Sequence, residues 1–423
     1  MAQLSDDCFA FGGPLLTVDD VERLIGERVT PVAGTERVAL RPARGRVLAA
    51  DVTAPVSLPP FDNSAVDGYA VRHSDLASNG ETRLEIGAPI FAGHASGQLA
   101  ARQAMRIFTG APMPDGADTV FMQEDCKVDG NAVILPPGLK EGANRRLKGE
   151  DVTSGAIVLA AGTRLAAHHI AIIAAVGLTG LDVRRRVRVA IFSTGDEIVE
   201  PGLVLPKAAV YDANRALLIA MAESLGAEVT DLGILADDES VLAGALAGAA
   251  ANADLVLTSG GVSTGDADYV RKAVEQVGTL TFWRTAIKPG RPVAMGVLRG
   301  GAGEAAAFAG LPGNPVAAFV TFARVVRPLF LRLAGARAEP LIAHPVRAAF
   351  SYKKKAGRRE YVRVSLARAA DGVFEASKYR QDGAGVISSL TETDGLIELP
   401  EDVLGLKPGD MAGFISYAAL VGG

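Results

Sequence analysis

Cysteine is almost absent from this chain. Cys8 and Cys126 are the two present in 423 residues, too few for a disulfide framework and without metal-ligand spacing. Histidine is nearly as scarce, and the five present, His168 and His169 among them, form no zinc motif. Aromatic residues make up 5% while hydrophobic residues reach 49%. Ala, Val, Leu and Gly must therefore fill the interior, which suits α/β packing. No apolar run is long enough to span a bilayer, and the first residues are acidic where a signal peptide needs a basic and then an apolar stretch. A cytoplasmic, reducing setting is the expectation. Neither charge dominates: 43 Lys and Arg face 48 Asp and Glu, a formal charge of −5, which speaks against a nucleic-acid binder. There is no Walker lysine motif, no Gly-x-Gly-x-x-Gly after a first strand, and no Ser-His-Asp or Cys-His arrangement.

The length implies roughly two to four domains. Residues 17–31 begin Thr-Val-Asp-Asp and continue through Val21, Leu24 and Ile25, an N-capped amphipathic helix. From about Val52 to Asp151 short β-like runs alternate with Pro, Gly, Asn and Asp: Ala65–Val71, Thr82–Ile86, Ala104–Phe108, Thr119–Met122 and Ala132–Leu135. Gly155–Thr163 reads as a returning strand and His168–Val176 as a short helix beside the N-terminal one, so the β region is inserted between two halves of one unit. The expected boundaries are 1–54 with 152–184, then 55–151, 185–336 and 337–423.

Residues 187–335 alternate strand and helix as a parallel sheet requires. Val187–Phe192, Ala227–Leu232 and Asp254–Thr258 read as strands, with Leu280–Trp283, Pro292–Val297 and Ala305–Gly310 to follow. Asn214–Leu225, capped by Asn214, Asp238–Ala250, Asp268–Val277 and Val316–Leu333 read as helices. After Gly335 short strands and turns return.

The strand Leu255 to Thr258 runs into Ser259-Gly260-Gly261-Val262-Ser263-Thr264-Gly265-Asp266-Ala267-Asp268. Ligands of open α/β sheets sit at such strand ends, where loop amides and helix N-termini point. The glycines let a backbone approach an anion, whereas Asp266 and Asp268 would repel a bare one. Both features together suit a phosphorylated ligand carrying a divalent cation. Leu311-Pro312-Gly313-Asn314-Pro315 repeats this logic at the same sheet edge, with Asn314 as cap and Pro315 at the first helical position. Lys288 and Arg291, three apart on the stiff loop Ile287-Lys-Pro-Gly-Arg-Pro292, can hold an oxyanion. Asp62 and Asp67 bracket Asn63 and Ser64, and Arg145, Arg146 and Lys148 stand beside Glu150 and Asp151. Ser193-Thr-Gly-Asp-Glu197 and Leu235-Ala-Asp-Asp-Glu239 end strands with acids. Taken singly, each of these is explained as well by turns, caps or solvated charge.

Taken in order, FDNSAVDGYA, FTGAPMPDGAD, GANRRLKGED, STGDE, TSGGVSTGDADY, IKPGRP and GLPGNPVAAF over residues 60–319 resemble the molybdopterin molybdenumtransferase family, the MoeA type, related to the gephyrin E domain. The resemblance implies a multidomain α/β plus β protein. Its parts would be a three-layer α/β molybdopterin-binding domain, an inserted β domain, an elongated N-terminal domain and a C-terminal β-barrel-like domain. It implies a homodimer with a shared active cleft, and a reaction in which molybdate enters adenylylated molybdopterin with release of AMP, assisted by Mg2+. It further implies catalytic Asp67, Glu197, Asp237 and Asp268, with Asp237 and Asp268 on the metal. Substrate would be held by Thr109, Arg146, Ser259, Gly260, Gly261, Ser263, Pro312 and Asn314, and molybdate by Lys288, Arg291, Pro292 and Arg358. Contact with molybdopterin adenylyltransferase is also implied, with no nucleic-acid or membrane partner.

Departures from the pattern are specific. Arg291 stands where the family often has lysine, Asp266 where glutamate is frequent, and Ala384 before Gly385 where serine is common. A hydroxyl contact to molybdate would be missing at Ala384. Two other functions share parts of the pattern: the adenylyltransferase that makes the substrate, which has the α/β domain alone, and a non-catalytic pterin-binding scaffold.

Overall fold

The computed structural model describes residues 4–5, 8–9, 15–261, 269–290, 293–300 and 305–422. At its centre lies a six-stranded sheet ordered Glu228–Leu235, Arg188–Thr194, Leu255–Ser259, Ala305–Leu311, Val293–Arg299, Gly278–Trp283. The first four strands are parallel, and the last two run antiparallel at one edge. Alternating side chains divide the sheet into two apolar faces. Val189, Ile191, Leu257 and Ala309 pack with Leu218 and Met221 of the helix Ala213–Ser224 and with Phe322 and Val326. Ala190, Phe192, Val256 and Phe308 pack with Leu242 and Leu246 of Glu239–Asn252 and with Val270 and Val274 of Tyr269–Val277. The result is the three-layer α/β arrangement. Coverage on both faces is why the parallel strands read as unbroken apolar runs.

The last helix of this unit is continuous in space but not uniform. Pro315–Thr321 and Arg327–Leu333 are α-helical, and Phe322–Val326 between them is a π-turn. Pro328 has no amide hydrogen to donate back into the preceding turn, and a wider turn there accommodates the missing bond.

The chain leaves for the β insert along Val52–Thr53 and returns antiparallel to it along Ile157–Leu159. The insert is a mixed sheet ordered Thr119–Met122, Gly68–Val71, Gln103–Ile107, Thr82–Ile90, Ala132–Leu135, Lys127–Asp129. Beyond Gly335, the strands Arg359–Arg368, Phe374–Lys378, His344–Ala348, Met411–Ser416 and Gly395–Leu399 close on themselves, because Gly395–Leu399 also pairs with Arg359–Arg368. Val346, Val364, Ala376, Ile397 and Phe414 fill this small barrel.

Two local expectations are corrected. The helix Val18–Arg28 is capped by Thr17 and Asp20 as its sequence requires, but it does not lie beside Ala167–Ala175. Its apolar stripe Val18, Val21, Leu24 and Ile25 joins the core under Arg327–Leu333, whereas Ile173 packs with Leu48, Leu165 and Val183. Amphipathicity states that a face is buried, not against which partner. The helix at 213 is capped by Asp212, whose Oδ1 accepts from the Arg215 amide at 3.0 Å, and Asn214 lies inside its first turn.

Asp254 fastens the central sheet to the segment preceding it. Its side chain is almost fully buried and takes Arg185 Nη1 and Nη2 at 2.7 Å each, the Arg188 amide at 2.8 Å and Arg188 Nη2 at 3.2 Å. Burial raises the carboxyl's pKa, but these donors outweigh it and hold it below 3.8. Asp254→Ala is expected to cost about 2–3 kcal/mol by removing the charged hydrogen bonds that tie Arg185 and Arg188 to the sheet, read as a lowered urea midpoint. Because the folded value is depressed, the contribution is present above 3.8 and is lost as pH falls through that depressed value.

Candidate active site

The parallel strands end in a common cavity of about 610 Å³, lined by Thr194, Glu197, Asn214, Asp237, Ser259, Gly260, Gly261, Asn314 and Gly385, among others. Three strand-end loops are stitched together there. Asn214 Nδ2 donates to Ser259 Oγ at 2.8 Å and to the Gly313 carbonyl at 2.6 Å, and Ser259 Oγ donates to the Pro312 carbonyl at 3.1 Å. Asn214 Oδ1 is buried and has no hydrogen-bond partner among the described residues, so a ligand N–H or O–H would satisfy it. Gly260 and Gly261 have φ of +87° and +63°. A Cβ on Gly261 would come within 2.9 Å of both Thr194 Cγ2 and Val270 Cγ2, so the close approach and the positive φ both favour glycine there. Thr194 Oγ1 donates to Asp237 Oδ1 and fixes that carboxylate at the cavity wall.

A second cavity, of about 350 Å³, adjoins the first at Asn314 and is lined by Lys288, Pro289, Gly290, Pro312, Tyr352, Arg358, Arg363, Lys378 and Ala384, among others. Its geometry comes from a register. Ile287–Lys288 runs parallel to the barrel strand, with Lys288 opposite Glu360. Glu360 is 1% exposed, and its Oε2 accepts from Lys288 Nζ at 3.0 Å and from the Tyr352 hydroxyl at 2.8 Å. Arg358 Nη2 stands 3.8 Å from Glu360 Oε1, which has no hydrogen-bond partner among the described residues. Burial alone would lower the Lys288 pKa, but Glu360 and Tyr352 hold it above the usual lysine value. Lys288 is therefore a cation throughout the neutral range. Lys354 donates to the Arg358 carbonyl at 2.8 Å and steadies the loop that presents Arg358.

The expected site residues thus fall into separate groups. Glu197, Asp237, Ser259, Gly260, Gly261 and Asn314 share the strand-end cavity; Lys288, Arg358, Pro312 and Ala384 share its neighbour with Asn314. Asp67, Thr109 and Arg146 line neither cavity. Asp67 Oδ1 accepts from the Thr109 amide at 2.8 Å and hydroxyl at 2.7 Å, which depresses its pKa, and Arg146 is exposed beside Glu150. Asp62, by contrast, is consumed structurally: Arg145 and the Lys148 amide bind it. Ser263, Asp266, Asp268, Arg291 and Pro292 lie outside the described residues. Asn314 makes no side-chain cap; its helix is met instead by the Ala384 carbonyl, which accepts from the Val316 amide at 3.0 Å. The sequence reading missed Asn214, taken for a cap, and Glu360 and Tyr352, whose role depends on pairing between distant strands. The donor set for Mg2+ is partial among the described residues, which hold no cluster of three or more metal-ligating side chains. Asp237 and Glu197 offer hard oxygen donors in one cavity, which fits an ion taking one or two carboxylates and completing its shell on substrate phosphates.

Known proteins match this chain over most of its length. Residues 16–177 match the model for the MoeA N-terminal region (domain I and II), 190–332 that for the probable molybdopterin binding domain, and 345–416 that for the MoeA C-terminal region (domain IV). The molybdopterin molybdenumtransferase of Haemophilus influenzae is 36% identical over 411 residues, covering 96% of this chain and all of the relative. The chain belongs to the molybdopterin molybdenumtransferase family. A second member, from Nostoc sp., is 38% identical over 398 residues, 92% of this chain and 90% of the relative. Among solved structures, the molybdopterin biosynthesis moeA protein of Pyrococcus horikoshii OT3 superposes with a TM-score of 0.80 at 28% identity, over 96% of this chain and all of that one. Family membership extends through the β insert and the barrel, so the adenylyltransferase alternative, built on the α/β domain alone, does not account for this chain. Among the molybdopterin molybdenumtransferase motifs read from the sequence, those at 193–197, 258–261, 287–290 and 311–315 contribute described residues to the two adjoining cavities, and those of the β insert do not.

Proposed function

We propose that this chain inserts molybdate into adenylylated molybdopterin, cleaving the pyrophosphate and releasing AMP and molybdenum cofactor. The observation that carries the reading is the pair of cavities meeting at Asn314, one built from glycine-rich strand ends and the other from Lys288 and Arg358. Ser259, Gly260 and Gly261 suit phosphates, which backbone amides and nearby positive φ glycines accommodate. Molybdate, a tetrahedral dianion, needs cations fixed in place before it arrives. Lys288 and Arg358, with Arg291 and Pro292, would supply them. Asp237 and Asp268 would hold Mg2+, which neutralises phosphate charge when bound, while Glu197 orients donors at the same edge. Asp67, Thr109 and Arg146 would complete the cleft from a second subunit of a homodimer. The proposed units remain 1–54 with 152–184, 55–151, 185–336 and 337–423. The setting is cytoplasmic, with substrate delivered by contact with molybdopterin adenylyltransferase.

Purified protein incubated with adenylylated molybdopterin, molybdate and Mg2+ should release AMP only when molybdate is present. Release of pyrophosphate from ATP and molybdopterin would identify the adenylyltransferase instead, and binding without turnover a scaffold. Asp67→Ala and Asp268→Ala should each reduce molybdate-dependent AMP release by about a hundredfold with melting temperatures preserved. Near-normal turnover in both would remove these carboxylates from the site.

A further inference from the structure

The β insert carries a row of stacked rings, of which Tyr69 and Phe108 fall within motifs quoted above but have been given no role there. The Arg106 guanidinium lies 5.2 Å from the Tyr69 ring centre and 5.1 Å from that of Phe108. Phe108 stacks on Phe91 with centroids 4.9 Å apart and planes 11° from parallel, and His94 approaches Phe91 edge-on at 6.3 Å. Tyr69 is buried, Arg106 and Phe108 are half-buried, and Phe91 is 48% exposed. The row therefore ends in an aromatic residue open to solvent. Near the Phe108 end of the row is a carboxylate with an oxygen to spare. Thr109, which follows Phe108, gives both its donors to Asp67 Oδ1, and no described residue bonds Asp67 Oδ2. Those two donors also hold the carboxyl below the usual carboxylate pKa.

We propose that the Phe91–Phe108 pair is a stacking platform for the pterin ring of the substrate, with Asp67 Oδ2 accepting from the ring's N–H edge. This deepens, and rests on, the transferase reading. A flat heterocycle gains affinity from an exposed aromatic face whatever its identity. The carboxylate supplies the selection. A pterin presents an exocyclic amine and a ring N–H side by side, a donor pair that can converge on the two lone pairs of Oδ2, whereas adenine sets a ring acceptor beside its amine and would leave that acceptor facing an anion. Arg106, held between Tyr69 and Phe108, stiffens the platform from behind.

The test uses the full chain with 6-hydroxymethylpterin, whose fluorescence is quenched on stacking, and with AMP as a control ligand. Phe91→Ala should weaken pterin binding about tenfold, Phe91→Trp should restore it, and Asp67→Asn should weaken it comparably; AMP affinity should not change. With adenylylated molybdopterin, Phe91→Ala should raise KM about tenfold while kcat stays within about twofold. Unchanged pterin affinity in Phe91→Ala would overturn the proposal, as would a loss of AMP affinity in its place. A change in oligomeric mass by light scattering would instead make this face an interface between copies, and would overturn it too. Absence of AMP release by the wild-type protein would defeat the transferase reading, and the pterin titration would still decide the platform.

Discussion

Lys288→Ala is expected to weaken molybdate binding by about a hundredfold, the effect of truncating one partner of a close charge pair. Two causes act together. The cavity loses its best-anchored cation, and Glu360, 1% exposed, is left with Tyr352 as its remaining hydrogen-bond donor among the described residues. A carboxylate in that state repels an incoming dianion and is costly to keep buried. Glu360→Gln in the Lys288→Ala background should therefore recover about tenfold of the lost affinity, a coupling that independent contributions would not produce. Calorimetric titration with molybdate and, separately, with AMP distinguishes this from general damage. The proposed phosphate site at the strand ends is not lined by Lys288, so AMP affinity should be retained. Equal losses for both ligands would show that the loop at 288 had simply collapsed.

The second large effect is on folding. Gly68 opens an interior strand of the β insert, opposite Met122 on one side and Ile107 on the other. A Cβ there would lie 1.7 Å from the Phe121 carbonyl oxygen and 2.8 Å from its carbon. Backbone on the neighbouring strand cannot retreat without breaking the ladder. Gly68→Ala is expected to cost more than about 4 kcal/mol and to unfold the insert selectively. Hydrogen exchange should show residues 63–135 losing protection while the six-stranded sheet keeps it. Molybdate-dependent AMP release should disappear, because Asp67 is adjacent to the broken strand. A melting temperature within about 2 °C of the wild type would show that the insert tolerates the added methyl.

Much of this protein is legible in one dimension. Apolar runs bounded by glycine locate the parallel strands because both faces of that sheet are covered. The loops at their ends carry their chemistry in consecutive residues, so Ser259–Gly261 and Pro312–Asn314 are recognisable before any folding is considered. Capping is local too, and Thr17 with Asp20 was readable for that reason. Where two adjacent residues could serve, locality was not enough. Asn214 and Asp212 are both good caps, and only the folded loop shows Asp212 capping the helix while Asn214 bridges Ser259 and Gly313.

What the chain alone determined is the identity of the strand-tip loops, the β character of the insert and the family to which the whole belongs. Tertiary structure decided which charges remain available. Asp62 and Asp67 look alike in sequence, yet Arg145 and the Lys148 amide consume the first, while the second keeps an oxygen free of described partners. Lys288 and Glu360 are seventy-two residues apart, and the register of two short parallel strands makes them a pair. The reason is physical: backbone conformation and apolar periodicity are properties of neighbours along the chain, whereas desolvation and Coulombic pairing depend on distances that only folding sets.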